Sequence, residues 1–194
     1  RLLEPEDFKL AHEKNKEVRR LSAKFAAEQK SLRMFELNKR SLLFDAPYDF
    51  DAAIRYAEWD REPKKKFYMP RRKQLLPVVQ AMQRLSERKI RILGVMAPPG
   101  VGKTTIELMF MVMEGLKNPD LSILMGSHSN SFLRGAYEEV GRMLDLKGEY
   151  LWKDIFPSVQ VCKTNAQDMR IDLGKRKRFE TFEFSSIGSG NAGK

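Results

Sequence analysis

The stretch Met96–Thr105, MAPPGVGKTT, constrains this chain more than any other. It joins the apolar run Ile90–Met96, IRILGVM, to a Met- and Phe-rich run, IELMFMVMEG. A short β-branched run, a glycine turn and a long apolar run predict strand, loop and helix. That order suits phosphate. A polyphosphate is held by several backbone N–H donors converging on one point, and Gly100 and Gly102 let the backbone curl and approach closely. A helix opening near Lys103 adds the positive end of its dipole.

The chemistry then assigns roles. Lys103 is expected to reach the β- and γ-phosphates, Thr104 to bind Mg²⁺ through its hydroxyl, and Thr105 to bond on the α-phosphate side. The candidate nucleotide site is Ala97, Pro98, Pro99, Gly100, Val101, Gly102, Lys103, Thr104 and Thr105, taking ATP with Mg²⁺. Ala97 stands where the pattern G-x-x-x-x-G-K-[ST] opens with glycine, and a small side chain fits there if φ stays negative. Pro98 and Pro99 stiffen the entrance and donate no N–H, so the donors must follow them. The alternative is a chance Gly-Lys-Thr in a turn.

The flanking pattern predicts an α/β fold of the P-loop NTPase type, a mostly parallel sheet flanked by helices. Leu76–Lys89 reads as an amphipathic helix with Pro77 in its first turn, and Ile90–Met96 as a buried strand. Thr104–Leu116 and Ser131–Asp145 read as helices, with a second buried strand at Leu121–Ser127. Met169–Gly174 and Arg178–Ser186 alternate apolar and polar residues and read as paired strands around a KRK turn. Gly188–Lys194 reads as a flexible loop.

Ahead of this unit, residues 5–44 read as one long charged helix. Its apolar stripe is Ala11, Val18, Leu21, Phe25, Leu32 and Phe35, suited to a neighbour or partner chain. A short helix over Ala52–Trp59 and an extended, proline-containing linker over Arg61–Lys73 follow. A soft boundary divides 1–60, a helical extension, from 61–194, the ATPase domain.

The balance of charge is +10, with pI about 9.7. It points to a polyanion, nucleic acid or an anionic membrane surface, or to a solvated basic surface. The densest positive runs are Lys64, Lys65 and Lys66; Arg71, Arg72 and Lys73; and Lys175, Arg176, Lys177 and Arg178. They are the candidate phosphate-backbone contacts, with solvated loops as the alternative. The lone Cys162 rules out a disulfide within the chain and reads as a small buried hydrophobe in a reducing cytoplasm. No run is apolar enough to span a bilayer, and the charged start carries no signal-peptide core. The sequence begins on Arg1, so a processed or partial chain is expected.

Hydrolysis also needs a strand-borne acid near the Mg²⁺. Asp172 in MRID is the nearest candidate, but Arg170 interrupts the apolar run. A solvent-facing residue of an alternating strand is the expected role of Asp172.

The ordered set YMPRRKQLLPVVQ, VMAPPGVGKTT, ILMGSHSNS, MRIDLG and FETFEFSSIGSGNAGK resembles the ATPase part of the large terminase subunit of tailed bacteriophages. The resemblance covers about residues 67–194. In that family a glycine-rich loop like SSIGSGNAGK precedes the strand carrying the second acidic motif, so the resemblance implies that this strand and a nuclease domain lie beyond Lys194. It implies an ATP-driven motor that moves double-stranded DNA into a capsid, as a homo-oligomeric ring on a portal protein, with a small terminase subunit selecting the DNA. The implied setting is the cytoplasm of an infected bacterium, at the procapsid portal vertex. It also implies adenine contacts ahead of the cradle, for which Tyr68, Arg71 and Gln74 are candidates beside a plain basic linker with a core Tyr.

Arg134 and Arg142 are candidates by position for an arginine that neutralises the transferring phosphate, beside a solvated helix face. His128 is a candidate phosphate sensor or a satisfied loop histidine. Two rival functions remain. One is another P-loop DNA-dependent ATPase or helicase, and the other is a non-hydrolysing nucleotide-binding interaction module.

Overall fold

His12, Asn15, Arg19 and Ser22 recur at helical spacing and decide how the N-terminal segment folds. The computed structural model describes residues 5–29, 32–145, 148–175 and 178–186. Helix α1 (Pro5–Gln29) and helix α2 (Leu32–Asp45) run antiparallel. Asn15 Nδ2 donates to the Ser41 carbonyl at 2.8 Å, and Asn38 Nδ2 to the Arg19 carbonyl at 3.2 Å. His12 meets buried Asp45 at 2.9 Å, and Arg19 meets it at 3.1 Å. A hairpin therefore replaces the single helix expected over residues 5–44. The reason is the polar seam. Its groups are satisfied only by a returning helix, while Val18, Leu21, Phe25, Leu32 and Phe35 of the apolar stripe stay exposed.

Helix α3 (Phe50–Ala57) is capped by Asp49, whose side chain accepts from the Ala52 N–H. It buries Phe50, Ile54 and Tyr56. Just past it lies Glu58, fully buried. Its carboxylate accepts from the Phe67 N–H at 2.9 Å and the Tyr68 N–H at 2.8 Å, and pairs with Arg61 at 3.0 Å. These bonds start helix α4 (Tyr68–Ser86) inside the segment expected to be a linker. Pro70 takes the first-turn position that tolerates proline, and Pro77, expected there, is interior to α4. The Phe50 and Phe110 rings meet edge to face at 5.3 Å, so the core continues across residue 61.

Helix α5 (Lys103–Lys117) buries Ile106, Met109, Val112, Met113 and Leu116. Gly115 lets Phe182 approach: a Cβ at Gly115 would lie 2.3 Å from the Phe182 ring. Helix α6 (Asn130–Leu144), capped by Ser129, and the short α7 (Trp152–Ile155) complete the helices described.

The sheet has four strands, β1 (Ile123–Ser127), β2 (Val161–Asn165), β3 (Arg170–Leu173) and β4 (Phe182–Ser186), in the order β1-β4-β3-β2. β1 and β4 are parallel, with Met125 opposite Phe184. The β4–β3 and β3–β2 pairs are antiparallel. The sheet is thus mixed, with one parallel pair, where a mostly parallel one was expected.

Ile90–Met96 joins no strand among the described residues. Ile92 is 89% exposed and Met96 99% exposed, so the buried-strand reading is overturned. An extended segment becomes a strand only by pairing its N–H and C=O groups. Leu93 and Val95 line one cavity together with Ile123–Ser127 of β1 and pair with none of them.

Two smaller expectations also change. Cys162 is exposed on β2, where the register shifts between Val161 and Lys163. Asp172 is buried and accepts from the Thr181 hydroxyl at 3.4 Å. Among the described residues no helix is long and apolar enough to cross a membrane. The Gly188–Lys194 loop lies outside the described residues, as do Arg176 and Lys177 of the KRK turn.

Candidate nucleotide site

Two glycines shape the loop. Gly100 has φ +80° and Gly102 φ +100°, backbone that other residues adopt only at a cost. Ala97 does not take positive φ, the condition under which its methyl fits. Gly102 is the N-cap of α5, and the helix closes its first bond from the Ile106 N–H to the Gly102 carbonyl at 3.1 Å. The N–H groups of Lys103, Thr104 and Thr105 thus have no carbonyl of their own helix to meet. They are the positive end of a 15-residue helix.

Lys103 folds back across the loop. Its Nζ donates to the carbonyl of Ala97, and to that of Pro98 at 3.2 Å. Those carbonyls hold the ammonium where a phosphate would compete for it. Amide donors, an ammonium and the Thr104 hydroxyl form a donor set that fits a polyphosphate with a hard cation.

Phe67 is the residue that sequence reasoning missed. Its ring occupies the space a Gly102 side chain would need, with Cε2 2.4 Å from a Cβ built there. The Arg71 guanidinium lies 5.1 Å from the centre of the Phe67 ring and donates to the Phe67 carbonyl at 3.1 Å. Tyr68, the expected stacking ring, is instead fully buried, and its hydroxyl donates to Asp51 at 2.6 Å. Burial, then the bond to Asp51, push the Tyr68 hydroxyl far above its ordinary pKa. It has no free face for a base. Helix phase carried the signal: Tyr68, Leu75, Val79 and Met82 point inward together. Residues 67, 71 and 74 then share another face, and Gln74 is exposed.

A cavity of about 570 Å³ opens beside the loop. Lys103, Thr104 and Glu107 of α5 line one wall, with Leu93 and Val95 on another and β1 from Ile123 to Ser127 on a third. Glu107 is exposed, yet desolvation on its cavity side raises its carboxyl above the ordinary range.

The other candidates lie elsewhere. Arg134 is exposed and lines a separate cavity of about 490 Å³ with Asn130, Ser131 and Arg170. Arg142 pairs with Glu139, and His128 is exposed after β1. Among the basic runs, Lys65 pairs with Glu149 at 2.8 Å and Lys66 donates to the Trp59 carbonyl at 2.7 Å. Arg72 holds Asp51 through bonds of 2.7 and 2.9 Å. Arg178 lies 5.4 Å from the Phe179 ring centre. Lys64, Lys73 and Lys175 are exposed. The described residues contain no group of three or more His, Cys, Asp or Glu that could hold a metal. Compared with protein-family models, curated proteins and solved structures, the chain matches none.

Proposed function

We propose that this chain binds ATP with Mg²⁺ at Ala97–Thr105 and is the ATPase region of a viral DNA-packaging motor. The observation that supports nucleotide binding best is the turn through Gly100 and Gly102, which delivers Lys103 and three first-turn amides to one side of the loop. The resemblance described above supplies the rest of the reading. On it, hydrolysis moves double-stranded DNA into a capsid, with a portal protein, a small terminase subunit and a ring of copies as partners, in the cytoplasm of an infected bacterium.

Each residue has its own part on this reading. The Lys103 ammonium exchanges the carbonyls of Ala97 and Pro98 for the β- and γ-phosphates. The N–H groups of Lys103, Thr104 and Thr105 donate to the remaining phosphate oxygens. Thr104 offers its hydroxyl to Mg²⁺, which when bound neutralises charge on the β- and γ-phosphates. Phe67 and Arg71 replace Tyr68 as the ring and cation next to the cradle, with Gln74 on the same helix face. Lys64, Lys73 and Lys175 are the basic residues best placed for DNA, because Lys65 and Arg72 already hold carboxylates.

The test is ATP binding and double-stranded-DNA-stimulated hydrolysis in the wild type and in Lys103→Ala. ATP binding lost in the variant, with DNA-stimulated turnover in the wild type, supports the motor. Binding without turnover favours a nucleotide-binding interaction module. That second reading draws on one observation, the exposed apolar residues Val18, Leu21, Phe25, Leu37 and Phe44 on the α1–α2 hairpin.

A further inference from the structure

We infer that Glu107 belongs to the nucleotide site, where its carboxylate holds the Mg²⁺ of bound ATP through a water molecule beside Thr104. The inference rests on the ATP-binding reading above and assigns an acid that the motif does not contain.

Helical spacing makes the arrangement. Glu107 follows Lys103 by four residues and Thr104 by three, so the three side chains share one face of α5. All three line the cavity between α5, Leu93 and β1. Glu107 is the one acidic residue among those lining it. Lys103 does not neutralise it, because the ammonium is turned toward the carbonyls of Ala97 and Pro98. Phe110, Leu93 and Leu124 are apolar neighbours along the same walls.

The Glu107 carboxylate faces solvent at the cavity rim with apolar residues on one side and pairs with no cation among the described residues, so it is open to one. Glu107 is itself solvent-exposed, and the partial desolvation on its cavity side raises its carboxyl above the ordinary range. A cation on the Thr104 hydroxyl would favour the charged carboxylate by its proximity. The geometry favours a water between them, since three residues separate the two positions by about 4.5 Å along the axis. Mg²⁺ binds oxygen directly at about 2.0–2.1 Å and keeps several of its waters. Glu107 therefore fits as an acceptor for a Mg²⁺-bound water rather than as a direct ligand.

The experiment measures ATP affinity by titration calorimetry, with excess Mg²⁺ and with EDTA, for wild type, Lys103→Ala, Glu107→Gln and Glu107→Asp. Circular dichroism and the thermal midpoint without ligand establish that each variant is folded. The expected result is that Glu107→Gln weakens ATP binding in Mg²⁺ by about tenfold, the lower end for residues that act on a metal through its waters. In EDTA, Glu107→Gln should bind ATP as well as wild type or better, because a negative charge near the phosphates is gone. Glu107→Asp should recover part of the Mg²⁺-dependent affinity. A folded Glu107→Gln that keeps the full gain from Mg²⁺ overturns the inference while leaving ATP binding intact. If wild type fails to bind ATP under both conditions, the ATP reading falls and the inference falls with it.

Discussion

Phe67 lies against Gly102 so closely that a Cβ at Gly102 would sit 2.4 Å from the ring carbon Cε2. The contact ties α4 to the mouth of the loop. Its position is fixed in turn by Glu58, whose carboxylate receives the N–H groups of Phe67 and Tyr68. The helical part of the chain thus reaches the candidate site through two residues.

Gly102→Ala should fail for two separable reasons. Its φ of +100° strains any L side chain, at a cost of about 1–3 kcal/mol. The new methyl also collides with Phe67. Denaturant unfolding should show a loss of at least the strain term, and ATP binding should weaken. Gly102→Ala combined with Phe67→Ala should remove the collision and keep the strain. A stability equal to wild type in the single variant would contradict this geometry.

Pro77 sits inside α4 with its side chain exposed. An interior proline lacks the helix N–H and crowds the carbonyl four residues back, costing about 3 kcal/mol. Part of that is offset because proline also restricts the unfolded chain, by about 0.4–1 kcal/mol. Pro77→Ala should therefore stabilise the protein by about 2 kcal/mol, read as a higher urea midpoint at unchanged slope. A drop in stability would argue that α4 begins after Pro77 and that residues 68–76 are not helical.

The Asp51 carboxyl gives the protein an acid-sensitive contact. Burial alone would raise its pKa, but the bonds from Arg72 and Tyr68 and the charges of Arg72 and Arg55 outweigh it and hold it below the ordinary range. A depressed carboxyl contributes stability that is fully present above the unfolded pKa, about 3.9, and is lost as pH falls through the lower folded value. Asp51→Asn should cost about 1–3 kcal/mol at pH 7, allowing for the partly exposed Arg72. The difference from wild type should shrink as pH falls below about 4. A difference that stays constant between pH 7 and pH 3 would show that the pair carries no such linkage.

The loop was legible because its chemistry is local. Gly100, Gly102 and Lys103 lie within four consecutive positions, and the positive φ values and the helix start follow from residue types alone. The pairing of Arg170–Leu173 with Phe182–Ser186 was legible for the same reason, as alternation over neighbouring segments. What depends on distant partners was not. The α1–α2 hairpin hides in the polar residues Asn15, Asn38 and Ser41, which hydropathy counts as surface. Glu58 looked like one more charge, yet it starts α4 where proline content suggested a linker. Ile90–Met96 has strand composition without a ladder partner among the described residues, and composition cannot supply one. Tyr68 and Phe67 differ by one position, and only the phase of a helix not foreseen there decides which ring turns inward.

The most direct test of the central claim is the affinity for ATP in Mg²⁺, measured by calorimetry for wild type and Lys103→Ala. The account predicts saturable one-site binding by wild type. Removing a charged hydrogen-bond donor worth about 1.5–3 kcal/mol should weaken it by roughly 10- to 100-fold, with circular dichroism unchanged. Equal affinities in two folded proteins, or no binding by folded wild type, would contradict it.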